Sequence, residues 1–168
     1  MSPPLAARGL APEGAPAPHD SIRLNYDARY LRRAVLRTEA GAAVLVDLPE
    51  AQVLPNGALL LLEDGATVAV IAEPEDLAEV RGDGPLHLAR LVWHLGNRHL
   101  ACQIEADRLL IRPDHVIEHM LEHQGARIAH VREPFDPEGG AYGHGRTHAH
   151  SHSHDPQHDP NAHLHRHG

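Results

Sequence analysis

Histidine is where this chain concentrates its chemistry. Of its 168 residues 17 are histidine, and nine of these fall within the last 25 positions, from His144 to Gly168. Neutral imidazole is a borderline-soft nitrogen donor that suits nickel, zinc and copper, so this density points to metal binding before any other chemistry. His148, His150, His152 and His154 alternate strictly, and His163, His165 and His167 repeat the pattern. The tract has no hydrophobic periodicity and reads as disordered without metal, its histidines free to wrap a cation in several interchangeable geometries. High capacity and poor selectivity follow. A purification tag is normally uninterrupted, whereas Ser, Asp, Pro, Asn and Arg punctuate this tract.

Further histidines lie upstream. His115, His119 and His123 recur every four residues and, at 100° per residue, share an arc of about 80° on a helix. An i, i+4 pair is a competent chelate. With Glu118 and Glu122 alongside, a solvated polar face is the plainer reading of His119 and His123. His99 follows Gly96-Asn97-Arg98 in a tight turn, where Asn97 can bond the backbone and Arg98 can pair with a carboxylate. A structural turn residue and a ligand held at the domain surface are equally compatible with that position. His87 and His94 read as polar-face residues, Trp93 as packing, and Cys102 as a small buried hydrophobe. There is no HExxH, no spaced three-ligand set with a general base, and no nucleophile beside an acid–base pair, which argues against a metalloenzyme.

These residues need elements to position them. Residues 1–20 are rich in Ala and Pro and read as a disordered lead. From 21 to 73 short apolar runs (Ile22–Leu24, Ala34–Arg37, Ala42–Leu48, Ala58–Leu62, Thr67–Ala72) alternate with turn signals at Pro55-Asn56-Gly57 and Glu63-Asp64-Gly65, predicting a small all-β domain, a sandwich or open barrel. Residues 73–76 read as a linker. Over 74–142 the pattern predicts strand 77–81, a helix opened by Pro85 and closed by Gly96, strands 101–105 and 108–112, a helix capped by Asp114 and ended by Gly125, and strand 126–132. On the second helix Val116, Ile117, Met120 and Leu121 are expected to face the sheet. The fold class is thus α+β: an N-terminal all-β domain, a ferredoxin-like βαββαβ domain, and a His-rich tail over 143–168.

The totals narrow the function classes. A formal net charge of −8 without a basic cluster argues against nucleic acid. The single cysteine excludes an intrachain disulfide framework. No signal-peptide pattern or membrane-length apolar run is present, so no membrane association is expected and the location is expected to be cytoplasmic. About 120 foldable residues are few for two independent cores, which predicts oligomerisation.

The segments "HLGNRH" (94–99), "DHVIEHML" (114–121) and "PFDPEGGAYGHG" (134–145), followed by a histidine-rich end, resemble the UreE family of urease accessory proteins. "DLPEAQVLPNGALLLLEDG" (47–65) is similar to that family's N-terminal domain. The resemblance implies a non-catalytic homodimeric nickel metallochaperone that delivers Ni2+ to the apo-urease assembly complex through an accessory GTPase, with Zn2+ or Cu2+ able to substitute in vitro. It implies a peptide- or partner-binding N-terminal domain. By the same resemblance His99 meets its counterpart across the dimer interface and shares one ion. His115 matches a peripheral metal contact whose companion position is Pro113 here, and His144, His148, His150, His152 and His154 would complete the coordination. The rival reading is a nickel or zinc storage protein without a delivery partner.

Overall fold

The computed structural model describes residues 4–139; the tail histidines from His144 onward lie outside them. Strands β1 (Leu5–Leu10), β2 (Asp20–Leu24), β3 (Tyr30–Arg37), β4 (Ala43–Val53), β5 (Leu59–Leu62) and β6 (Thr67–Ala72), with the one-turn helix α1 (Tyr26–Arg29), make up the N-terminal part. They form one six-stranded sheet in the order β2-β6-β5-β1-β4-β3. Alternation in β4 buries Val44, Val46 and Leu48, which pack with Ile22, Leu54, Leu60, Leu62, Val68 and Val70 as one core. The Asn56-Gly57 turn forms as its residue types require. Gly57 has φ 81° and donates to the Val70 carbonyl at 2.7 Å, while Asn56 Oδ1 accepts from the Ala72 amide at 2.8 Å.

Two expectations are corrected here. Residues 5–10, read as part of a disordered lead, form β1 in the interior of the sheet, parallel to β4 and antiparallel to β5. Composition counts side chains, whereas β1 is held by backbone bonds on both edges, and its buried Ala6 and Ala7 are small enough for that crowded position. The following stretch is tied as well: Ala11 donates to the Leu59 carbonyl and Thr67 Oγ1 to that of Pro16. Second, the expected linker at 73–76 is strand from Pro74, because the partner strand pairs through to Pro134↔Pro74, the strand-end position where a missing N–H is tolerated.

The second sheet comprises β7 (Pro74–Arg81), β8 (Cys102–Ile104), β9 (Leu109–Ile111) and β10 (Arg127–Pro134), with helices α2 (Pro85–Gly96) and α3 (His115–His123) following β7 and β9. Strand order is β10-β7-β9-β8 and every pair is antiparallel. Leu88, Leu91 and Leu95 of α2 and Leu121 of α3 bury against Ala78, Val80, Leu109 and Ile111. Asp114 caps α3, its Oδ1 accepting from the Val116 and Ile117 amides at 2.9 and 3.1 Å. Val116 departs from expectation: it is 62% exposed. It sits in the first turn of α3 at the flank of the apolar arc.

The face of this sheet opposite the helices carries an ion-pair layer. Arg108 donates to Glu79, Glu105 and Glu133, and Arg81 bridges Glu79 and Asp107. Hydrogen bonds from Arg81 and then Arg108 hold the Glu79 carboxyl below its usual 4.5, and Arg108 does the same for Glu133. Depressed carboxyls contribute stability that is fully present above the unfolded value and lost as pH falls through the folded one. Arg108→Met is therefore expected to cost about 1.5–3 kcal/mol at pH 7, the scale of hydrogen bonds to charged groups. In thermal melts the gap between wild type and variant should close as pH falls below about 4; a constant gap would remove these carboxyls as its source.

Candidate metal centre

α2 ends with Asn97 donating to the Trp93 carbonyl at 3.1 Å and Arg98 to that of Leu95 at 3.0 Å. The Arg98 guanidinium, expected to pair with a carboxylate, bonds the His94 carbonyl at 3.0 Å instead. His99 closes the turn through its amide to the Gly96 carbonyl at 3.0 Å and adopts φ 55°. Among the described residues it is the one non-glycine at positive φ. The left-handed conformation costs an L-residue about 1–2 kcal/mol, so glycine would satisfy this turn better. The position carries an exposed imidazole all the same.

Strand register shows what shares this end of the sheet. Cys102, three residues after His99, pairs with Ile111, four residues before His115. The exit segment after β10 arrives there too: Asp136 donates to Gln103 Oε1 at 2.8 Å and the Glu138 amide to the Cys102 carbonyl at 2.9 Å. His99 and the exposed His115 at the first position of α3 thus lie three and four residues from this paired strand end, where residues 136–138 also bond. Cys102 itself is core. Burial, and then the neighbouring Glu138 carboxylate, raises its thiol to about 11, and its Sγ lies 3.7 Å from the Gln103 carbonyl.

His87, expected on a polar face, is a strut. Its Nδ1 accepts from the Asp83 amide at 2.9 Å, which leaves Nε2 to donate to the Gln124 carbonyl at 2.8 Å. This joins the start of α2 to the end of α3. His130 of β10 meets Glu118 at 2.8 Å. His94 rests edge-on to the exposed Trp93, and His119 and His123 stand ring to ring on the outer face of α3. Among the described residues no three His, Cys, Asp or Glu side chains come together as a metal-holding group. No helix there is long and apolar enough to cross a membrane.

One buried charged residue had no sequence signal. Arg29 is fully buried between the two sheets; its Nη1 donates to the Leu54 carbonyl at 3.0 Å and to Asp136 at 2.8 Å, and its Nη2 to the Phe135 carbonyl. Tyr26 packs edge-on to Phe135 with centroids 5.3 Å apart. Together these side chains pin the segment from which the tail departs.

Comparison with known proteins agrees with this architecture. Residues 5–73 match the UreE urease accessory protein N-terminal domain, and residues 75–167 match its C-terminal domain. The chain is 56% identical over 131 residues to a urease accessory protein UreE from Ruegeria sp. (strain TM1040), covering 78% of this chain and 73% of that one. It is 51% identical over 142 residues to that of Rhodobacter capsulatus (84% and 88%) and 53% identical over 134 residues to that of Paracoccus denitrificans (79% and 84%). Two successive domain matches spanning most of the chain, with about half the aligned residues shared with curated relatives, place this protein in the UreE family of urease accessory proteins.

Proposed function

We propose that this chain is a nickel metallochaperone that works as a homodimer, holds Ni2+ between two copies of His99, and releases it to apo-urease through an accessory GTPase. The observation that carries the reading is the shared edge: a strained, exposed imidazole with the tail root anchored three residues away at Cys102. His144 follows Gly139 by five residues, a reach of up to about 18 Å, enough for the tail to supply further imidazoles. Exposed Trp93 and Val116 near the same edge are apolar surface suited to a second copy. The order β10-β7-β9-β8 supports a ferredoxin-like arrangement of the metal-binding part.

Two imidazoles leave most positions of a six-coordinate nickel to water or tail histidines. Such a site collects the ion yet opens stepwise to pass it on. His115 stands at the same edge but lacks a donor at Pro113, which makes it an auxiliary contact. Storage without delivery is the second reading, favoured only by the histidine count of the tail. Calorimetric titration with Ni2+ separates them. A chain ending after Tyr142 is expected to keep one high-affinity ion per two chains while losing the weaker ions. If truncation removes the tight ion as well, the tail is the binding site and storage is the better description.

A further inference from the structure

A second place on the surface has the makings of a metal site. His119 and His123 lie one turn apart on α3, both exposed, with ring centroids 4.4 Å apart and an interplanar angle of 78°. Among the described residues neither ring is held by a hydrogen bond, whereas both nitrogens of His87 are engaged and His130 meets Glu118. Two imidazoles can share an ion when their donor nitrogens stand about 3 Å apart, given metal–nitrogen bonds of about 2.0–2.1 Å. Rings already in contact reach that spacing by rotating exposed side chains, with no change to the helix. We propose that His119 and His123 form a two-imidazole site for a borderline divalent cation of the zinc, nickel and copper class, separate from the turn histidine.

The helix keeps the two places apart. His119 and His123 lie about 6 and 12 Å along the axis from His115, away from the edge that carries His99. The pair contributes two donors only, since no group of three potential ligands occurs among the described residues. Water fills the other positions, so the ion exchanges readily, as an entry or transfer position on the surface requires. The inference stands on α3 alone and does not depend on the interfacial reading.

Zn2+, a diamagnetic probe, added to the full-length protein beyond saturation of the tail tests it by imidazole 15N NMR. The His119 and His123 rings are expected to shift along one shared titration curve, and His123→Ala to weaken the response of His119 about tenfold or more, since chelation is lost. Independent midpoints, a His119 response unchanged in the variant, or silence of both rings at millimolar Zn2+ would each overturn the site. The His99 resonance in the same spectra reports the interfacial reading separately, so failure of one leaves the other legible.

Discussion

In His99→Ala protein the tight nickel ion is expected to disappear, with affinity falling on the order of a hundredfold or more, while the fold remains. Outer-shell substitutions alone cost 10–100-fold in metal affinity, roughly speaking, and in the proposed interfacial site a direct donor would go from each chain of the pair. Alanine is the right replacement because it keeps the Cβ and hence the left-handed strain; glycine would relieve that strain and confuse stability with binding. His99 is exposed, so the melting temperature should move little. Titration calorimetry with nickel, beside a thermal melt of each protein, reads both quantities. An unchanged tight site in the alanine protein would reject the interfacial role outright.

Arg29→Met is expected to cost about 3–5 kcal/mol of stability, by the scale for breaking a buried charge pair. Its partners explain the size. Two main-chain carbonyls, Leu54 and Phe135, lose a charged donor, and Asp136 loses its cation. The Asp136 side chain is 40% exposed and can be rehydrated, which places the effect near the lower bound. For a chain of this length about 3 kcal/mol corresponds to a fall of about 6–12 °C in melting temperature. Because the arginine joins residues of β4's end to those after β10, unfolding should also split towards two transitions. A single transition within a degree or two of wild type would show that the junction holds without it.

Much of the fold was legible from short-range chemistry. Asp114 before an apolar run, Gly125 after it, Pro85 and Gly96 bracketing α2, and Asn56-Gly57 between two strands each specify a local conformation through groups only a few residues apart. The near-continuous apolar run Ala42–Leu48 marked a strand, and the fold shows Val44, Val46 and Leu48 to be its buried face. The family was legible too, because its segments are properties of the sequence itself. What failed involved partners far along the chain. β1 is a strand because β4 and β5 flank it, and the Ala- and Pro-rich composition of residues 1–20 gives no sign of them.

The same distance in sequence separates reading a site from building one. Sequence determined which residues can donate to a metal: His99 after its turn, the ladder of His115, His119 and His123, and the histidines of the tail. Only the tertiary structure decided their company. Pairing of Cys102 with Ile111 puts His99 and His115 three and four residues from one paired strand end, where Glu138 also bonds Cys102, while His87 is withdrawn from chemistry by Asp83 and Gln124. A side chain's donor atoms are intrinsic to its type. Whether those donors face a cation, a carbonyl or water depends on backbone hydrogen bonds closed between segments that composition and periodicity describe one at a time.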